Sequence, residues 1–390
     1  MVAPQPPDFE VVTDVFSRAI QLEGDARRRF LDDECAGDVE LRREVEQMLT
    51  HDDVPVPDLF TDSRILEGRR ALDRAAIRLI DDLPDRIGPW RIGSRVSSGD
   101  KGSVFRVHHV ETSREARLVA VESVADEEVE ARVRDSADSL KSLRHEGLVE
   151  VLEVGLFDGK DGRRPYLITE LLPKKNVTRH CTDQRPEPLE RVELVARVAD
   201  ALHQAHDAGL CHRGLFARRV FVGGAAAEEP RPIVDGVGVT AWTDRDLEEP
   251  TARTLLTLAP EQAARDASAL GPRTDVYALG LLLYDLLTGR PALDVIGRRS
   301  RDAIRIVREE EPQPLTRGDR KFPRRLEEAM RTALAKDPAD RFDSAAAFAS
   351  ELRDVITFER ERPRRVIWRI VLGAITVAAI VAALSLTSVV

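Results

Sequence analysis

The chain has 390 residues, 33% of them charged, and 59 Lys and Arg against 69 Asp and Glu leave a net charge of −10. That acidity excludes nucleic acid as the main partner, because binding a phosphate backbone needs clustered positive charge. Cys35, Cys181 and Cys211 are scattered along the chain, which excludes a zinc-finger spacing and a disulfide framework and leaves three ordinary thiols.

Residues 1–10 are polar, proline-rich and acidic, so no secretory signal is expected there. A helical period then sets in. Phe9, Val12, Val15, Phe16, Ala19 and Ile20 form one apolar face. Phe30 and Leu31 belong to a short second helix. Val39, Leu41, Val45, Met48 and Leu49 belong to a third, with Asp38 as its N-cap. Residues 1–51 are thus expected to form a helical packing or docking module without chemistry. Residues 52–86 read as a linker, opening with DDVPVPDL and holding a short helix around Ser63–Leu79.

From Ile87 the pattern changes to short apolar alternations separated by turns. WRIGSRV, SVFRVHHV, ARLVAVESV, GLVEVLEVGLF and RPYLITELL predict five strands, with a helix over Glu127–Leu143 between the third and fourth. After Pro188 the pattern is mostly helical to about Phe358. A strand-rich small lobe followed by a helix-rich large lobe is an α+β arrangement with a cleft between its lobes, here over residues 87–358. Residues 359–369 are basic, with Arg360, Arg362, Arg364, Arg365 and Arg369. From Ile370 to Val390 there is no charge, and the only polar residues in a run of Val, Ala, Ile, Leu and one Gly are Thr376, Ser385, Thr387 and Ser388. About 20 such residues cross a bilayer as a helix. The flanking arginines favour the cytoplasmic side. The expectation is a single-pass anchor at residues 370–390 with the preceding residues in the cytoplasm.

Within residues 88 to 356 the segments IGPWRI, SSGDKGSVF, LRHEGLVEVLEVG, PYLITELL, AHDAGLCHR, IVD, LAPEQ, RTDVYALGLLLYDLLTGRPAL and AKDPADRF occur in that order. In this order and spacing the region resembles a bacterial serine/threonine protein kinase domain. The resemblance implies a two-lobed kinase-like fold with the nucleotide site between the lobes. It also implies roles for particular positions, and fold alone does not decide activity. Phosphoryl transfer works mainly by positioning and charge neutralisation, so each part can be checked by residue type.

The glycine-rich loop runs from Ser97 to Val104 and keeps Gly99, Gly102 and Val104, but Ser97 replaces its first glycine and Asp100 and Lys101 occupy its tip. The lysine of the third strand is matched by Glu122 from the motif text V-A-V-E, or by Val119 from gap-free counting; the two registers stay open. No lysine lies between Lys101 and Lys141, so the positive charge at this place is expected to be lost. The helix glutamate that would pair with it is matched by Ser136, beside Asp135. In the catalytic loop CHRGLFARR, Gly214 stands at the proton-accepting aspartate, Phe216 at the loop lysine and Arg219 at the metal-binding asparagine. An arginine repels a metal cation. Asp235 keeps the metal-binding carboxylate, but Gly236 and Val237 replace the Phe-Gly that should follow it. Glu170 and Leu172 fall on the segment joining the lobes, where a nucleotide base would bind.

Architectural positions are kept: His212 and Arg213 in the catalytic loop, Asp275 tying that loop to the central helix, and Glu261 with Arg341 as an ion pair. Loss concentrated on chemistry and retention on packing imply a membrane-anchored pseudokinase, a signalling scaffold or regulator without phosphoryl transfer. Its partners would be other signalling proteins, such as active kinases or their substrates. Two alternatives remain: an atypical active kinase using Lys101 and Asp235 with ATP, with or without magnesium, and a tethered adaptor working through its N-terminal helices. Asp235, deprived of metal-binding company, is expected to matter little for stability.

Overall fold

The computed structural model describes residues 83–99, 102–224, 229–243, 255–296, 298, 300–317 and 320–361, with residues 30–32, 34, 35 and 42. Residues 1–67 form a unit of their own; most of the expected N-terminal helices, the linker and the 370–390 run lie outside the described residues. Among the described residues no helix is long and apolar enough to cross a membrane.

The small lobe is a six-stranded antiparallel sheet in the order β1-β2-β3-β4-β6-β5. Its strands are β1 (Arg86–Ile87), β2 (Trp90–Gly99), β3 (Gly102–His109), β4 (Glu115–Val121), β5 (Val151–Gly159) and β6 (Gly162–Thr169). Alternation of side chains decides which residues see the cleft. In β4, Ala116, Leu118 and Ala120 join Phe105, Val107, Tyr166 and Ile168 in one apolar cluster. Val119 and Val121 join the cluster that continues into the large lobe, and Arg117 shares their parity. Val104 pairs with Val119 across β3 and β4, and Gly102 with Val121. Gly102 is indispensable to that pairing: its φ is +141°, and a Cβ would sit 1.9 Å from the Ala120 carbonyl oxygen.

Helix α1 (Glu127–Ser142) packs into the same cluster as Val119 and Val121. Asp126 caps it, its Oδ1 accepting from the Val129 N–H at 2.8 Å. Glu127, Glu128 and Glu130 line its first turn and Lys141 its last, the charge placement that suits the helix dipole. Val129, Val133 and Leu140 are its buried stripe.

The large lobe is built on α3 (Pro188–Asp207) and α5 (Pro272–Thr288), with α2 (Val177–Gln184), α4 (Pro260–Ala263), α6 (Ser300–Glu309) and α7 (Arg324–Ala333) around them. A helix through 345–361 closes the described region. The five expected strands and the helix after the third are present. The additions are short: β1, the ribbon of β7 (Val220–Gly223) and β8 (Arg231–Val234), and a pair of two-residue strands at Thr316–Arg317 and Arg320–Lys321. Two-residue strands carry no periodicity to read.

Glu261 on α4 and Arg341 form a bidentate pair, with both Nη atoms donating to the carboxylate at 2.8 Å. The Arg341 side chain is 0% exposed and that of Glu261 4%. The remaining guanidinium donors go to the carbonyls of Ala335, Arg273 and Lys336 at 2.8 to 3.0 Å. The Tyr277 ring lies beneath, 4.8 Å from Cζ to its centroid. A buried charge with every donor used braces three segments at once. Arg341→Ala leaves Glu261 buried without its counter-charge and is expected to destabilise the large lobe by about 3–5 kcal/mol. Urea denaturation followed by tryptophan fluorescence measures this; a cost under about 1 kcal/mol would show that the pair is no brace.

Candidate functional site

The loop at residues 211–214 is held from below. Asp275, in the first turn of α5, accepts from the backbone N–H groups of His212 and Arg213, both at 2.7 Å. His206 Nε2 lies 2.8 Å from its Oδ2. Burial alone would raise the Asp275 carboxyl, but the hydrogen bonds and charges of His206 and His212 outweigh it and hold the group below the usual carboxylate range. Arg213 takes the left-handed conformation, φ 53°. Its carbonyl accepts from Gln262 Nε2 at 2.9 Å, and the His212 carbonyl accepts from the Thr240 hydroxyl at 2.9 Å. His206, Cys211 and Asp275 each offer a donor atom within 4.8 Å of the others. Both Asp275 oxygens already accept hydrogen bonds that anchor the loop. Burial pushes the Cys211 thiol up to about 11, which keeps it protonated at neutral pH.

Asp235 follows β8 and is 5% exposed. Arg117 Nη2, from the middle of β4, donates to its Oδ1 at 2.6 Å. Arg219 Nη1, from the catalytic loop, donates to its Oδ2 at 3.4 Å. Burial opposes ionisation of Asp235, but the charges of Arg117 and Arg219 prevail and lower its pKa. His212 Nε2 lies 3.1 Å from the Asp235 carbonyl oxygen. The strand pairing bears on the register left open between Val119 and Glu122. The β3–β4 pairing places Val119 opposite Val104, while Glu122 lies past the end of β4 and gives its carbonyl to Arg164 Nη1. Val119 itself carries no charge; Arg117, two residues before it and on the same side of the strand, brings a positive charge to Asp235 instead. Motif reading missed Arg117 because it looks for a lysine at one position. The available signal was a lone arginine inside the apolar row ARLVAV.

Phe216 and Gly236 lie beside Arg219, next to the same carboxylate. The Arg219 Cζ lies 6.0 Å from the centroid of the Phe216 ring, within range of a cation–π contact. Gly236 has φ +88°, and a Cβ there would come within 3.3 Å of Arg219 Nη1. Ser136 accepts from the Trp242 indole N–H at 2.9 Å. Trp242 is fully buried in the 3-10 turn Val239–Trp242, so the helix position expected to meet a lysine instead pins the segment after Asp235. Asp135 is exposed.

On the segment joining the lobes, Glu170 Oε1 accepts from the Glu150 N–H at 3.1 Å, and its carbonyl accepts from the Thr169 hydroxyl at 3.0 Å. Leu172 is half-buried there. Gly102 and Val104 lie on β3 and Gly99 ends β2; Lys101 lies outside the described residues. Gly214 offers no carboxylate to receive a hydroxyl proton. The structure thus gathers Asp235, Arg219, Phe216 and His212 with Arg117, and keeps Glu122 apart.

A small antiparallel lobe, a helical lobe and a loop tied to the central helix define a two-lobed, kinase-like protein. The protein kinase domain family model matches residues 90–352, and the chain belongs to that family. It is 30% identical over 292 residues to serine/threonine-protein kinase pkn3 of Myxococcus xanthus, covering 70% of this chain and 51% of that protein. It is 29% identical over 274 residues to serine/threonine-protein kinase PknL of Mycobacterium tuberculosis, covering 68% of this chain and 65% of that protein. The chain therefore spans between half and two thirds of these curated relatives. The crystal structure of the Mycobacterium tuberculosis PknI kinase domain superposes with a TM-score of 0.53 at 23% identity, covering 70% of this chain and 99% of that one, a likeness of fold.

The buried contacts of Asp235 with Arg117 and Arg219 argue against the expectation that it matters little for stability. Asp235→Ala leaves the Arg117 guanidinium buried and uncompensated, at a cost of about 3–5 kcal/mol. The double variant Arg117→Met with Asp235→Leu removes both charges and is expected to be more stable than either single replacement. Chemical denaturation of the four proteins tests this, and a double variant less stable than both singles would show that the charges are not coupled.

Proposed function

We propose that the chain is a membrane-anchored pseudokinase, a scaffold or regulator in a signalling assembly that does not transfer phosphate. One observation carries the proposal: Arg219, which stands at the metal-binding asparagine, contacts both Asp235 and the replaced position Phe216. Gly236 makes room for Arg219, and Arg117 fills the other side of Asp235. Loss of individual groups by drift would leave gaps and unpaired charges. Here the carboxylate that would hold magnesium has two guanidinium partners, and a divalent cation would meet both positive charges at short range. The missing base at Gly214 alone accounts for about 10²–10⁴ in rate. Its partners are proposed to be signalling proteins, including active kinases or their substrates, held near the membrane by residues 370–390.

Purified protein with labelled ATP and magnesium is expected to incorporate no phosphate into itself or into generic protein substrates. Incorporation by the unaltered chain would favour the atypical kinase, with Lys101 reaching the phosphates.

Deleting residues 366–390 is expected to move the protein from the membrane to the soluble fraction, since the uncharged run lies there. Sedimentation with membranes after a salt wash would sink the anchor.

A further inference from the structure

Around Asp235 the cations outnumber the carboxylate. Arg117 and Arg219 face a single carboxylate, Asp235, so the three groups carry one surplus positive charge. Arg117 is 9% exposed, and its Nε is a buried donor without a hydrogen-bond partner. A buried donor left unpaired is costly, and more so on a charged group. The Arg219 side chain is 20% exposed, so it is reachable from solvent while touching Asp235. Guanidinium groups match phosphate oxygens in geometry and charge. A divalent cation, by contrast, finds its carboxylate already neutralised.

We propose that this cleft binds a phosphate-bearing anion, inorganic phosphate or the polyphosphate of a nucleotide, without a divalent cation. Arg219 takes the charge role of the metal and Arg117 that of the strand lysine. The proposal rests on the pseudokinase assignment of the same cleft. It deepens that assignment by reversing the metal dependence expected of a kinase fold. Arg117 comes from β4 and Arg219 from the large lobe, so one anion on both would bridge the lobes.

Isothermal calorimetry on the full chain tests this with ATP, ADP and inorganic phosphate, each in EDTA and in excess magnesium. Phosphoryl transfer is assayed on the same preparation. Binding in EDTA is expected, weakened when magnesium is added. Arg117→Gln and Arg219→Asn are each expected to weaken it about tenfold, the loss of one charge-assisted hydrogen bond. Nucleotides binding more tightly than phosphate would assign the anion to a nucleotide; equal affinities would assign it to free phosphate. No binding of any of the three in EDTA, binding that requires magnesium, or unchanged affinity in both variants overturns the proposal. Should a variant fail to fold, the comparison of EDTA with magnesium on the unaltered chain decides. Phosphoryl transfer would defeat the pseudokinase assignment, whereas absence of both transfer and metal-free binding would defeat this proposal alone.

Discussion

A carboxylate that is 5% exposed must be neutralised from within the protein, and Asp235 is met by two cations drawn from distant parts of the chain. Arg117 arrives on a strand of the small lobe and Arg219 on a loop of the large lobe. The contact is therefore an electrostatic tie across the cleft as well as a local satisfaction of charge. Removing charge from water is expensive, and it is tolerated only where the partners are close and oriented. Around this requirement the neighbouring substitutions make sense. Gly236 leaves the space that Arg219 Nη1 approaches, and Phe216 offers its ring to the same guanidinium.

The same physics recurs where the lobe is braced. Asp275 is 0% exposed and spends its oxygens on two backbone N–H groups and His206. Arg341 spends every donor on Glu261 and three carbonyls. These sites fix backbone segments rather than react with anything. They place the catalytic-loop frame correctly, so that a chain with Gly214 still presents Arg219 to Asp235. Architecture and site are thus parts of one arrangement: the frame positions the residues that occupy the site.

Much of the fold was legible because it rests on local rules. Period-two alternation marked the five longer strands of the small lobe, and the helical stretch from Glu127 to Leu143 marked α1. The order of the loop motifs marked the family. The site was only half legible. Gly214, Phe216 and Arg219 could be recognised as departures from a motif, because each departure sits at a counted position. Arg117 could not, since its meaning lies in a partner 118 residues away. Sequence spacing does not carry that pairing. The register of β4 was open for a related reason: one insertion in the turn before it shifts every count, and only the pairing of Val104 with Val119 decides it. Ser136 and Trp242, 106 residues apart, were illegible likewise.

Mutual contact among the substituted residues also constrains how the site could change. Restoring an asparagine at position 219 would take one cation from Asp235 and leave Arg117 still bound to the oxygen a metal would need. Restoring a lysine at position 119 would place a second cation beside Arg117 on the same side of β4. Restoring a phenylalanine at position 236 would force a side chain toward Arg219 on a backbone at φ +88°. Each step toward the family pattern, taken alone, breaks a contact before it creates a function. Coupling of this kind makes neighbouring substitutions non-additive. The substituted residues thus hold one another in place as a set, even though nearly every one of them departs from the pattern of a working kinase.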